Sequence, residues 1–101
     1  MKDSTKFEQV AALWQKDKQQ YVKKSTFAAY SLLISNHLLP AFSDKTHIDE
    51  ECVQQFIFTK LSSGLSPKSV KDILIVLKMI LKFGIKHNLI KDPKLDIKFP
   101  P

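Results

Sequence analysis

Lysine is the residue type whose spacing first suggests chemistry in this sequence of 101 residues. Five lysines recur at helical intervals in one stretch: Lys68, Lys71, Lys78, Lys82 and Lys86. At about 100° per residue they gather between about 80° and 160° from Val70, and Ile75 falls among them. A helix face that only meets water usually alternates Glu with Lys, whereas no acid falls in this sector. The stripe therefore favours an external anion, such as phosphate, over simple solvation.

Two predicted helix starts place lysine beside small hydroxyl residues, in Lys23-Lys24-Ser25-Thr26 and Ser66-Pro67-Lys68-Ser69. The first turn of a helix has free backbone N–H groups and the positive end of the dipole, both of which attract phosphate. Serine at such a start also caps the helix, which leaves the lysines and the other amides able to bind phosphate. The residues expected to bind it are Lys23, Lys24, Ser25, Thr26, Lys68, Ser69, Lys71, Lys78 and Lys82.

The overall charge agrees with a polyanionic partner. The formal net charge is +6, and the sixteen Lys and Arg residues are all lysine. Such a balance favours nucleic acid or an anionic surface, although lysine also serves solubility. With 44% hydrophobic residues in a chain of this length, we expect a single folded domain. The lone Cys52 excludes an internal disulfide, and we interpret it as a small buried side chain.

Apolar residues recur at helical spacing and there are only two glycines, which predicts an all-α domain of four helices. The first helix is expected from Ser4 to Tyr21, capped by Ser4 or Thr5. The second is expected to follow Ser25 as N-cap and to end at Pro40, because proline lacks an N–H and clashes with the preceding turn. The predicted core residues are Phe7, Val10, Ala11, Trp14 and Tyr21, then Phe27, Tyr30, Leu33, Ile34 and Leu38.

The third and fourth helices have clearer start signals. Asp49 is the expected N-cap of the third, followed by acids in the first turn, where the helix dipole favours them. Ser66 is the expected N-cap of the fourth, with Pro67 at the first helical position, and this helix should run to about His87 or Asn88. The predicted core residues are Cys52, Val53, Phe56, Ile57 and Leu61, then Val70, Ile73, Leu74, Leu77, Ile80, Leu81, Gly84 and Ile85.

The order and spacing of these motifs resemble the N-terminal, core-binding domain of tyrosine recombinases, the phage integrase family. The similar stretches are Ser25-Thr26 with Tyr30, His37-Leu38-Leu39-Pro40, Ile48-Asp49 with Val53 and Phe56-Ile57, Gly64 to Ser69, and Asn88-Leu89-Ile90 with Asp92-Pro93. The sequence departs from the family pattern mildly, since the family often has Gly at Phe42-Ser43, Thr at Ser69, Ala at Gly84 and Asn at Asp92.

The resemblance implies a single four-helix (SAM-like) orthogonal bundle in residues 1–91. Residues 92–101 would be an exit segment toward a C-terminal catalytic domain. The domain would close over one side of duplex DNA near the crossover site in DNA integration and recombination. The expected partners are double-stranded DNA, the C-terminal catalytic domain of the same parent chain, and other recombinase protomers on DNA.

The resemblance also places the family's chemistry outside this chain. In the family, a tyrosine of the C-terminal domain attacks a phosphodiester with the help of arginines. This sequence has no arginine to clamp a reacting phosphate, so we expect no catalytic residue here, although the full-length parent is expected to be a tyrosine recombinase. Tyr21 and Tyr30 are expected to pack rather than react.

The alternative from a different functional class is a small helical protein–protein interaction module, with Ile75 and neighbouring apolar residues in a partner groove. No cofactor or metal is expected, because the three histidines lack paired ligand spacing and a zinc site with Cys52 is disfavoured. The most apolar run, residues 73–85, contains two lysines and is too short to span a bilayer, which takes about 20 apolar residues. We therefore expect a cytoplasmic protein with no membrane partner.

Overall fold

The computed structural model describes residues 5–95, and within them the chain forms four helices and no strand. Three of the helices are regular: α1 at Phe7–Lys18, α3 at Glu50–Ser62 and α4 at Pro67–Lys86. The remaining helix, α2, is composite: α-helical at Lys24–Leu33, π-helical at Ile34–Leu38 and α-helical again at Leu39–Phe42. The prediction of a small all-α bundle is confirmed.

The start of α1 is held by the loop that precedes α3. The N–H groups of Phe7 and Glu8 donate to the carbonyls of Lys45 and Ser43, at 2.9 and 3.0 Å. Lys6 occupies the N-cap position with an extended backbone, φ −74° and ψ 152°. Since main-chain carbonyls from elsewhere in the fold already satisfy the first donors of the helix, no hydroxyl cap is needed there.

Both predicted ends of the first helix are wrong. Thr5 precedes the N-cap residue Lys6 and does not cap α1, and the other predicted cap, Ser4, lies outside the described residues. At the other end, α1 stops at Lys18 because the chain turns toward α2, and the N–H of Tyr21 donates to the carbonyl of Lys18 at 2.9 Å within that turn. Tyr21 is 73% exposed, so it does not join the core predicted for it.

The start of α2 lies two residues before the predicted one. Lys23 is in the N-cap position, and its carbonyl accepts from the N–H of Phe27 at 2.9 Å. Ser25 lies inside the first turn, so its prediction as the N-cap is wrong. Lysine side chains have no acceptor atom, and no side chain caps this end of α2.

The helix α2 does not end at Pro40, contrary to the prediction. The N–H of Leu39 donates to the carbonyl of Ile34, five residues back, which makes a π-helical turn. Pro40 then falls in the first turn of the last α-helical segment, a position at which proline needs no N–H donor. The chain therefore stays helical up to Phe42, a buried residue at 2% exposure.

The predicted starts of the third and fourth helices are confirmed. Asp49 Oδ1 accepts from the N–H of Cys52 at 2.9 Å at the start of α3. Ser66 Oγ accepts from the N–H of Ser69 at 3.2 Å at the start of α4, with Pro67 as the first helical residue. Each cap lies within one turn of the group it satisfies, which is why the local sequence predicts it.

The end of α4 is a Schellman motif. Asn88 has a left-handed backbone with φ 60°. The N–H of Leu89 donates to the carbonyl of Gly84 at 2.8 Å, and the N–H of Asn88 donates to the carbonyl of Ile85 at 3.1 Å. The helix therefore ends at Lys86, close to the predicted end.

The helix α4 lies at the centre of the bundle and contacts α1, α2 and α3. Val70, Leu77 and Ile80 on its predicted core face have no exposed surface. Val76 is also buried, at 1% exposure, although it lies about 120° from Val70 on the helical wheel and outside the predicted sector. Because three helices surround α4, its buried face is wider than that of a helix that lies on a surface.

Candidate nucleic-acid interface

The five lysines of the predicted stripe are exposed along one side of α4. We call Lys68, Lys71, Lys78, Lys82 and Lys86 the lysine stripe. From Lys71 to Lys82 it extends about 16 Å along the helix axis, at about 1.5 Å per residue. Ile75 lies within it and is 55% exposed, while the opposite side of the helix forms the core. The central helix of the bundle therefore holds this row of positive charge.

Lys68 of the lysine stripe pairs with an acid that lies just outside the stripe. Lys68 Nζ lies 3.6 Å from Asp72 Oδ2, one turn further along, and their side chains are 86% and 51% exposed. Asp72 lies outside the sector of the stripe on the helical wheel, as expected, but its carboxylate still reaches Lys68. An exposed pair of this kind stabilises a protein by at most about 1 kcal/mol, so a phosphate can replace the carboxylate at small cost.

The helix starts differ in charge. The first turn of α1 contains Glu8 and that of α3 contains Glu50 and Glu51, whereas the first turns of α2 and α4 contain no acid. Lysine occupies the corresponding positions, as Lys24 in α2 and Lys68 in α4. The positive ends of the α2 and α4 dipoles are thus left without a nearby acid in their own first turn, which favours an external anion there.

The serine hydroxyls at the start of α4 are hydrogen-bonded to each other and exposed. The hydroxyl of Ser66 donates to Ser69 Oγ at 3.1 Å while it accepts the N–H of Ser69. Ser69 is exposed, and its own hydroxyl proton can be donated outward. Ser25 is exposed and Thr26 is half-buried in the first turn of α2.

The later part of α2 packs against the beginning of α4. A shallow hollow between them is lined by Ala29, Leu32 and Leu33 of α2, by Ser69, Asp72 and Ile73 of α4, and by His37 and Leu65. Thr26 precedes Ala29 by about 4.5 Å along the helix axis. Ser69 thus lines the same hollow as residues of α2, whereas Lys78 and Lys82 lie about 9 and 15 Å beyond Asp72 along α4. The predicted residues therefore form two groups rather than one compact cluster.

His37 adds little positive charge beside this hollow. Burial lowers the pKa of its imidazole, and the positive charge of Lys60 lowers the pKa further. Its Nδ1 atom is buried and has no hydrogen-bond partner among the described residues. His37 is therefore neutral near neutral pH, and the charge of this surface comes from its lysines.

Other candidate chemistry is not supported by the geometry. In the part of the chain that the structure describes, no group of three or more His, Cys, Asp or Glu side chains is placed to hold a metal ion. Tyr30 packs against Trp14 with 5.6 Å between ring centroids, as predicted, but Tyr21 is exposed. Cys52 is partly rather than fully buried. Among residues 5–95, no helix is both long and apolar enough to cross a membrane.

Lys86 belongs to the lysine stripe but was not among the predicted site residues. It lies exposed in the last turn of α4, one turn beyond Lys82. The helical wheel of the sequence already contained this signal, because Lys86 falls in the same sector as Lys82. The candidate interface should therefore include Lys86.

Comparison with known protein families gives a match to the phage integrase N-terminal SAM-like domain over residues 6–59. The matched segment is more than half of the chain and includes α1, α2 and most of α3, whereas α4 with its lysine stripe lies outside it. The chain therefore belongs to the family of phage integrase N-terminal SAM-like domains. Comparisons with curated proteins and with solved structures gave no significant match.

Proposed function

We propose that this chain binds duplex DNA as the core-binding domain of an integrase of the tyrosine recombinase type. The observation that carries the proposal is the lysine stripe, which is exposed on one side of the central helix α4. Membership of the integrase family supports it, because integration and recombination act on DNA. Lysines that neutralise phosphates supply affinity that depends little on sequence.

The proposed contacts fall into two groups. Along α4, the side chains of Lys71, Lys78 and Lys82 bind successive phosphates of the backbone. At the helix starts, backbone N–H groups and hydroxyls add contacts with phosphates near the crossover site. The residues of this second group are Lys23, Lys24, Ser25, Thr26, Lys68 and Ser69.

The proposal assigns no catalytic step to this domain. Phosphoryl transfer needs preorganised cationic donors, usually including arginine, and the sequence contains no arginine. In the parent integrase, a separate C-terminal domain would carry the tyrosine nucleophile, and residues 92–101 would lead toward it; of these, residues 96–101 lie outside the described part of the chain. Sequencing the gene downstream of the codon for Pro101 tests this assignment, since it should encode an arginine-containing domain with a tyrosine late in the chain.

The dependence of DNA affinity on salt tests the proposed interface. The logarithm of the affinity should fall linearly with the logarithm of salt concentration, with a slope of about 0.9 for each phosphate contact. Changing Lys78→Gln and Lys82→Gln together should lower that slope by about 0.9 for each lysine. Glutamine is suitable because it favours the helix nearly as well as lysine and adds no charge of its own. Fluorescence anisotropy with a labelled duplex gives the affinities.

A matched control removes the same number of positive charges outside the lysine stripe. Lys16 lies in α1 and Lys45 in the loop before α3, and both are exposed and outside the lysine stripe. The pair Lys16→Gln and Lys45→Gln should leave the slope close to that of the unchanged protein. Equal effects of the two pairs would mean that the domain responds only to its net charge. A flat salt response of the unchanged protein would refute phosphate binding altogether.

A further inference from the structure

We propose that Ile75 contacts thymine methyl groups in the major groove of DNA; this inference rests on the proposed binding of phosphates by the lysine stripe. Several large apolar side chains are exposed on the described residues, and Ile75, at 55%, is the one that lies on α4. Its exposed surface lies among lysines of α4, where a side chain that only solvates the helix would be polar. The ligand that meets those lysines therefore also meets an apolar side chain.

The position of Ile75 within the lysine stripe is central in both directions. Along the helix axis, Lys71 lies one turn before it and Lys78 about one turn after it. Around the axis, three lysines of the stripe lie on one side of Ile75, about 20° to 60° away, and Lys68 and Lys86 lie about 20° away on the other side. Any surface that touches lysines on both sides must come close to Ile75.

The major groove of B-DNA fits this arrangement. It is about 12 Å wide and admits an α-helix, with phosphates along both walls. Lysine side chains are long and flexible and can reach sideways to those walls, while the short side chain of Ile75 points toward the base edges between them. The C5-methyl group of thymine is the apolar feature that base edges present there, and the minor groove offers no equivalent. Thymine is therefore the chemical complement of Ile75.

A pair of alternating polymers isolates the methyl group. Poly(dA-dT) carries a thymine in every base pair, so the unknown register of the protein does not matter, and poly(dA-dU) lacks only the C5-methyl group. The affinity of the unchanged protein for poly(dA-dT) should exceed that for poly(dA-dU) by about fourfold, the loss expected for one buried methyl group. Ile75→Ala should remove this preference, with a similar loss on poly(dA-dT), little change on poly(dA-dU), and an unchanged salt slope on both.

Two controls accompany the measurement. Leu13 on α1 is 46% exposed and lies outside the lysine stripe, so Leu13→Ala should keep the preference for thymine. Ile75→Val retains a branched apolar side chain and should keep most of the preference for thymine. Thermal unfolding followed by circular dichroism shows whether each variant folds as the unchanged protein does.

The other outcomes contradict the inference in distinct ways. If Ile75→Ala weakens binding to both polymers equally, Ile75 contacts deoxyribose rather than the thymine methyl group. If it changes neither affinity, Ile75 lies away from DNA and the inference is wrong while the phosphate contacts stand. If the unchanged protein binds neither polymer with a salt-dependent affinity, the proposed function itself fails.

Discussion

Replacing Gly84 by alanine tests how closely the rest of the chain packs on α4. A Cβ atom at Gly84 would lie 3.0 Å from Val10 Cγ1, 3.0 Å from Ile90 Cγ1 and 3.1 Å from Ile90 Cδ1. Carbon atoms pack favourably at about 3.5 to 4.0 Å, so each neighbour must move by a few tenths of an ångström. Glycine at this position therefore allows α1 and the turn after α4 to approach the helix together.

The size of the effect follows from which neighbour can move. Ile90 is half-buried and follows the helix, so it can shift. Val10 is 1% exposed, and its branched side chain has one preferred rotamer in α1, so it cannot shift without the helix. Overpacking a core costs about 1–3 kcal/mol, and alanine favours a helix over glycine by about 1 kcal/mol. We expect Gly84→Ala to lower the free energy of unfolding by about 1 kcal/mol and the Tm by about 4–8 °C.

A double-mutant cycle with Val10→Ala separates the two terms. Val10→Ala removes the Cγ1 atom that alanine at position 84 would meet. In that background Gly84→Ala should no longer destabilise, and should stabilise by up to about 1 kcal/mol if Ile90 shifts. Urea unfolding followed by circular dichroism gives each free energy. The reasoning would be refuted if Gly84→Ala stabilised the unchanged protein by about 1 kcal/mol, or if its effect were the same in both backgrounds.

Two further predictions concern Ser66 and His37. Ser66→Ala should lower the free energy of unfolding by about 1 kcal/mol, because Ser66 Oγ accepts the N–H of Ser69 at the start of α4. Ser69→Ala keeps that acceptor, and an equal loss of Tm in both variants would contradict the role of the cap. For His37, burial and Lys60 hold the pKa below the usual 6.5, so the folded state binds fewer protons than the unfolded state just below that pH. The contribution of His37 to the free energy of unfolding should therefore be complete above pH 6.5 and fall as the pH drops below that value. His37→Gln should flatten this part of the stability profile. An unchanged profile would show that His37 does not cause the fall.

The features of the fold that the sequence predicts are those decided within one turn. Asp49 and Ser66 cap helices three residues ahead of them, so their neighbours in sequence are sufficient to identify them. The start of α1 depends instead on carbonyls of Ser43 and Lys45, which are distant in sequence. The helix α2 continues through Pro40 because a π-helical turn precedes it, and proline alone carries no signal of that turn.

The features of the candidate site also divide into those that nearby residues in the sequence predict and those that depend on packing between helices. The exposed lysine stripe follows from the strong contrast between the two sides of α4, which a helical wheel shows directly. The pair of Lys68 and Asp72 was also accessible from the sequence, because oppositely charged residues four apart on a helix are neighbours. The hollow that Ser69 shares with Leu33 of α2 was not accessible, since it depends on how two helices distant in sequence pack.

The π-helical turn at Ile34–Leu38 acts as a single-residue insertion in α2. Each extra residue advances a helix by about 100°, so the turn resets which side of the helix faces inward after it. Phe42 lies downstream of that reset, and its ring meets Phe7 and Phe56 at centroid distances of 5.9 and 5.1 Å. Deleting one residue from the turn would restore a uniform α-helix and rotate Phe42 away from both rings. A sequence alignment would therefore have to place a one-residue gap here to match this chain with a relative whose second helix is regular.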